Sequence, residues 1–290
     1  MKKRIVPVLV ALLVLTCALT ACGLVHVSDN TRQYLYIDSN TDDGIDSQYI
    51  AANTVPAVVQ TRAEFSDGSV SAGAGFFINA DGYILTNRHC VVKGDTPSTF
   101  SPAKRVYYSM GDNQYYVAEL VNYRATVDLD LAVLKPTKLV GSVPFLAFDD
   151  AVHPDQATQD SARIEYGQPC FAIGNPENLG LYFSRAMIAN PQYYANYALG
   201  KPTSEPALLV DCNINHGNSG GPLVDVNSKV IGVIYARIES ESGGAFASSN
   251  EVYGIGCAIP CYRATAYLDT VSMKGLSGQK YYYDYPAAEQ

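Results

Sequence analysis

Short apolar or alternating runs separated by turn residues dominate the chain from about Asn53 onwards. Val58–Phe65 has the look of a strand and ends at Ser66-Asp67-Gly68. Gly75–Ile78 and Tyr83–Thr86 flank Asn79-Ala80-Asp81-Gly82, where the Asp-Gly pair predicts a tight hairpin. Val106–Ser109 and Tyr115–Val121 flank Met110–Gln114 in the same way, and Leu131–Leu134 is a short, wholly apolar strand. Asp149–Gln168 is polar and predicts a crossover between two halves. Strand patterns resume at Cys170–Ile173, Ala207–Val210, Lys229–Tyr235 and Val252–Ile259. Cys261–Thr270 is the one helical pattern. Many short strands with turn signals and one late helix predict an all-β barrel or sandwich.

The amino end obeys different rules. Met1–Arg4 is basic, Ile5–Leu15 is almost wholly apolar, and Leu19-Thr20-Ala21-Cys22 comes next. This is the layout of a secretory signal, and the apolar run is short for a membrane span. Its last four residues resemble the bacterial lipobox, which implies removal of residues 1–21 and lipidation of Cys22. Two acyl chains suffice for stable anchoring of the outward-facing protein to the membrane. Residues 22–52 are polar and read as a tether. Residues 53–270 form the folded domain, with halves at about 53–150 and 166–270. Residues 271–290, with Tyr281, Tyr282, Tyr283 and Tyr285, form a tail.

Charge and cysteine content narrow the chemistry. Lys and Arg number 20 against 28 Asp and Glu, a net charge of −8. Removing Lys2, Lys3 and Arg4 leaves 17 against 28, or −11, which argues against binding to a nucleic-acid backbone. The 22 Tyr and 23 Gly favour β structure. Of seven cysteines, Cys17 leaves with the signal and Cys22 carries the lipid. Cys90, Cys170, Cys212, Cys257 and Cys261 remain, an odd number, so at least one thiol stays unpaired in a monomer. No Cys-x-x-Cys and no paired His is present, and neither a metal nor a cofactor is expected.

Gly217-Asn218-Ser219-Gly220-Gly221-Pro222 is the most informative string. Glycines around a Ser permit a sharp turn and let backbone N–H groups face a developing oxyanion. The hydroxyl needs a base. Of the four His, His26 lies in the tether, His153 in the crossover, and His216 on the same turn as Ser219; His89, at a strand end, is left. No His follows Ser219, which excludes the Ser–acid–His order of α/β-hydrolases. The subtilisin order, acid before His, needs alternating helices and parallel strands that are not found. For the order His–Asp–Ser, the acid is expected at Asp128 or Asp130, at the mouth of the apolar strand Leu131–Leu134.

The chain resembles the trypsin-like protease domain of the bacterial HtrA (DegP-type) family. The matching pieces are Gly73–Ile78, Asp81–Asn87, Asp130–Leu134, Ala172–Pro176, Ile214–Val224 and Gly254–Pro260, in the family's order. The resemblance implies two six-stranded antiparallel barrels with the site between them. It implies His89 as general base and acid, Asp130 rather than Asp128 as its orienter, Ser219 as nucleophile, and the N–H groups of Gly217 and Ser219 as oxyanion hole. The substrates would be polypeptides cleaved outside the cytoplasm. Asn213, Ile214, Tyr235 and Ala236 would line the pocket beside the cut. Trypsin-like enzymes that cut after Lys or Arg carry Asp where this chain has Asn213, so small or medium apolar residues are expected there. About twenty residues follow the last predicted helix, too few for the PDZ domain usual in the family. Gated activation and the usual trimer are therefore not carried over, and the oligomeric state is left open. In the same fold, Cys212 and Cys257 border one pocket, and a disulfide between them is conceivable. The rival class is an inactive relative that binds a peptide or partner; separately, a closed or disordered activation loop around Leu179–Lys201 would leave the protein inactive in isolation.

Overall fold

A computed structural model describes residues 45–112, 114–124, 129–139, 143–149, 164–196, 201–212, 214–239 and 251–271. The signal, Cys22, most of the tether, Asp128, Asn213 and the Tyr-rich tail lie outside the described residues. Among the described residues, no helix is long and apolar enough to cross a membrane.

Two closed six-stranded barrels make up the fold. The first contains β1 (Val58–Glu64), β2 (Val70–Phe77), β3 (Ile84–Thr86), β6 (Arg105–Ser109), β7 (Tyr116–Tyr123) and β8 (Ala132–Pro136), in the order β1-β2-β3-β8-β7-β6. A small ribbon of β4 (Val92–Lys93) and β5 (Ser101–Pro102) stands apart. The second contains β9 (Pro169–Gly174), β10 (Tyr182–Asn196), β11 (Lys201–Asp211), β12 (Pro222–Val224), β13 (Val230–Glu239) and β14 (Glu251–Pro260), in the order β10-β11-β14-β13-β12-β9. Helix α2 (Cys261–Thr270) begins directly after β14.

The local chemistry explains the early hairpin. Gly82 adopts φ +77, a left-handed conformation that favours glycine, and its N–H donates to the Asn79 carbonyl at 3.0 Å. The Asn79 side chain accepts from the Tyr83 N–H at 3.1 Å. Phe77, Ile84 and Leu134 belong to one core cluster of the first barrel, while Phe76 and Leu85, their strand neighbours, point to the opposite face; all five are fully buried, as are Leu131, Phe171 and Ile173. Burying a side chain of this size contributes about 1.5–3 kcal/mol.

Three features depart from the sequence reading. Helix α1 (Ser47–Thr54) occupies the end of the stretch read as tether, with Ile50 and Thr54 buried and the Thr54 hydroxyl bonded to the Ile50 carbonyl at 2.7 Å. Most of Leu179–Lys201, read as a loop, is the strand β10. It pairs with β9 on one side and, through several register shifts, with β11 on the other. All five domain cysteines are free and buried. The Cys212–Cys257 disulfide does not form: Cys257 stands opposite Leu209 on β11, while the Cys212 N–H bonds to Gly254, three positions along β14.

Candidate active site

Strand register explains how residues far apart in sequence come together. In the β3–β8 pair, Thr86 stands opposite Ala132. Because the strands are antiparallel, the residues after Thr86 and those before Ala132 emerge at the same barrel edge. A one-turn helix, Arg88–Cys90, therefore meets Asp130. The His89 N–H donates to Asp130 Oδ1 at 2.9 Å, and His89 Nδ1 bonds to Asp130 Oδ2. The Asn87 amide donates to the Asp130 carbonyl at 2.8 Å.

The second barrel presents Ser219 on the turn before β12. Leu223 and Val224 pair with Ala172 and Phe171 of β9, so the turn lies beside Gly174 and Asn175. The Asn175 N–H donates to the Gly217 carbonyl at 3.1 Å, and the Glu177 N–H to the His216 carbonyl at 2.7 Å. In a planar trans peptide, C=O and N–H point opposite ways. With the His216 carbonyl turned to Glu177, the Gly217 N–H faces the other side, towards the mouth of the turn. Gly217 adopts φ +97, and a Cβ there would collide with the Asn175 carbonyl oxygen. The amides of Asn218, Gly220 and Gly221 are bonded to Asn215, Ile234 and Asn218 respectively. Those of Gly217 and Ser219 have no acceptor among the described residues, as an oxyanion hole requires.

The two barrels meet at this turn. The Ala74 N–H of β2 donates to the Ser219 carbonyl at 2.8 Å, and the Thr86 hydroxyl donates to the Ala74 carbonyl at 2.6 Å. The Ser219 hydroxyl donates to the Tyr235 carbonyl at 3.4 Å rather than to His89. The Cys90 thiol, next to His89, lies 3.6 Å from the Ser219 carbonyl oxygen.

The electrostatics match a base held by a carboxylate. Desolvation favours neutral His89, but the Asp130 charge and its hydrogen bond, with a smaller contribution from the neighbouring Cys90, prevail. Together they push its pKa well above the ordinary imidazole value. Desolvation likewise opposes ionised Asp130, yet His89, Arg88 and the His89 N–H hold it below the usual carboxylate range. Arg88 Nη2 lies 3.8 Å from Asp130 Oδ1. Arg88 is a neighbour of the site that the sequence reading missed, although it stands directly before His89.

Of the pocket residues, Ile214 is buried against Gly256, where a Cβ would collide with its Cγ1. Tyr235 contributes the carbonyl bonded to Ser219. Ala236 pairs with Cys257 in the β13–β14 register. Burial pushes the Cys170 and Cys257 thiols up to about 12 and raises Cys212 as well, so these are inert packing groups. Among the described residues, no cluster of His, Cys, Asp and Glu could hold a metal.

Comparisons with known proteins bear on the fold and the family. The profile of the trypsin-like peptidase domain matches residues 73–233. A protein of Chlamydia trachomatis serovar D named "Probable periplasmic serine endoprotease DegP-like" is 31% identical over 207 residues, covering 70% of this chain and 34% of its own length. A protein of the same name from Brucella suis biovar 1 is 30% identical over 206 residues, covering 71% of this chain and 34% of its own length. The chain thus spans about a third of the length of the curated relatives it matches. Among solved structures, the HtrA-type protease AlgW with tripeptide superposes with a TM-score of 0.58 and 28% identity, covering 78% of this chain and 63% of that one.

Proposed function

Since this chain belongs to the trypsin-like peptidase domain family, we propose that it is a serine endopeptidase of HtrA type that hydrolyses polypeptides through His89, Asp130 and Ser219. The observation that carries the reading is the convergence, at the seam of two barrels, of a carboxylate-held imidazole and a serine turn with two unengaged amides. In the proposed reaction, the Ser219 hydroxyl turns from Tyr235 to His89 as substrate enters; resting sites are commonly looser than loaded ones. His89 takes the Ser219 proton while Oγ attacks the scissile carbonyl. The Gly217 and Ser219 N–H groups receive the oxyanion. His89, as imidazolium stabilised by Asp130, then protonates the leaving amine, and water resolves the acyl-enzyme by the same steps in reverse.

Ile214 against Gly256 narrows the pocket and presents no charge, which supports cleavage after small or medium apolar residues. The relatives' periplasmic names, with the Leu19–Cys22 string, support an extracytoplasmic protein tethered through lipidated Cys22. A Cys22→Ser variant should leave the membrane fraction or keep its signal. Fractionation and migration like the parent's would sink the anchor.

The test of function is labelling by a fluorophosphonate probe with mass spectrometry. Modification at Ser219, lost in Ser219→Ala, is expected. A folded parent left unlabelled under all conditions would instead favour the binding-module alternative.

A further inference from the structure

Arg88 stands between His89 and the core, and its surroundings are unusual for a charged side chain. Only 7% of it is exposed. One terminal guanidinium nitrogen, Nη1, is shared between two carbonyls, Arg124 at 3.3 Å and Leu129 at 3.2 Å. The other terminal nitrogen, Nη2, lies 3.8 Å from Asp130 Oδ1. The guanidinium carbon lies 4.5 Å from the ring centre of Phe100, and Phe100 meets Tyr123 edge-on at 6.2 Å. Arg124 and Leu131 close the neck of the same segment through an N–H to carbonyl bond of 2.9 Å. A buried cation is costly to desolvate unless its donors are engaged, and here they are engaged by the segment that carries Asp130.

We propose that Arg88 is a positioning residue of the triad: it clamps the segment that carries Asp130 and balances the Asp130 charge against His89. The role rests on His89, Asp130 and Ser219 being the triad, and it concerns how their protons are placed. The two contributions separate physically. The clamp needs the forked guanidinium, because one nitrogen bridges two carbonyls while the other faces the carboxylate. The charge balance needs only a positive charge near Asp130. Without that charge, Asp130 acts on His89 unopposed, imidazolium is favoured, and more of the base is already protonated at a given pH. The other titratable and charged groups around the pair are Cys90, on the same turn, and Tyr235 of β13, with Cys257 and Arg263 behind Tyr235. None of these is a cation adjacent to Asp130. Asn87 and the His89 N–H continue to hold Asp130 when Arg88 is replaced, so the charge effect outweighs any loosening of the His89–Asp130 bond.

Two substitutions test this, Arg88→Met and Arg88→Lys. The His89 titration is followed by NMR of 13C-labelled histidine in a Ser219→Ala background, with the signal assigned by its loss in His89→Gln. Peptide hydrolysis against pH is followed with Ser219 intact. In Arg88→Met the His89 midpoint and the acid limb of kcat/KM should both move to higher pH. In Arg88→Lys both should stay near the parent's. In both variants kcat on the alkaline plateau should fall about tenfold with KM little changed, since a displacement well under 1 Å suffices for such a loss and Arg88 touches no substrate. An Arg88→Met protein with lower thermal stability but an unmoved midpoint and plateau would show a merely structural residue and overturn the proposal. So would a midpoint that moves down. If Arg88→Met does not fold, Arg88→Lys decides: a full plateau kcat removes the clamp, and a shifted midpoint removes the charge balance. Failure of the triad itself is read separately, as a parent that the fluorophosphonate probe leaves unlabelled while the His89 midpoint still responds to Arg88.

Discussion

In the first barrel, His89 and Asp130 are held mainly through side chains: Nδ1 on Oδ2, the Asn87 amide on the Asp130 carbonyl, Arg88 on the segment behind. In the second, Ser219 is held almost wholly by main chain: Asn175 on Gly217, Glu177 on His216, Ala74 on Ser219, Ile234 on Gly220. The first arrangement is vulnerable to the loss of side-chain atoms, and the second to their addition. One half of the site is fixed by what the residues carry, the other by what the glycines lack.

The sharpest break in either half removes a reacting group. Ser219→Ala or His89→Ala should each cost about 10⁶-fold in kcat, and the double variant little more, because the two act as a unit. Additive losses in a double-mutant cycle would count against a shared mechanism. Next comes Asp130→Asn, which keeps size and fold but favours the wrong imidazole tautomer, with an expected loss of about 10⁴-fold, the figure for a chymotrypsin-type triad. Asp128→Asn should be far milder; the reverse order, with both folds confirmed by circular dichroism, would move the acid to Asp128.

The main-chain half is tested by adding one carbon. Gly217→Ala forces a side chain onto φ +97 and against the Asn175 carbonyl, and should turn the peptide that presents its N–H. A loss of about 10²–10³-fold in kcat is expected, the scale for one oxyanion donor. Gly68→Ala is the control: φ is +83, but no atom lies within 4 Å of the added carbon. It should lower stability by about 1–2 kcal/mol, read by denaturant unfolding, and leave kcat alone. Equal effects on kcat at the two positions would end the distinction between the halves. The smallest expected effect concerns neither half. With Cys90, Cys170, Cys212, Cys257 and Cys261 all free, a reductant should not change the melting temperature. A fall on reduction would reveal a disulfide.

Much of the first barrel was legible because its strands are short apolar runs and its turns carry Asp-Gly, so pattern and turn chemistry agree at Asn79–Gly82. The strand β10 was not, because Tyr182–Asn196 mixes exposed residues such as Tyr182 and Met187 with a proline, and its pairing with β11 slips several times. Helix α1 hid for a different reason: it buries only Ile50 and Thr54, too small a stripe to show a helical period. At the site, residue type and order pointed to His89 and Ser219 and left the acid between Asp128 and Asp130; the preference for Asp130 came with the family resemblance. Arg88 could not be named, since its partners arise 36 and 41 positions later and only the β3–β8 register brings them back. The proposed disulfide failed for the same kind of reason, a register of three residues on β14 that no spacing of cysteines reveals.

Late in the chain, the Tyr267 hydroxyl of α2 donates to the Asn122 side chain of β7 at 3.0 Å, a tie across 145 positions. The helix at the end of the second barrel thus fastens onto the first. Chains emerge from synthesis or export amino end first, and contacts of such long separation are slow to close. All six strands of the first barrel, with His89 and Asp130, precede the Ser219 turn in the chain, and the tie from α2 to β7 comes last of all. The order of residues along the chain therefore means that the candidate site cannot be complete until the second barrel has been made.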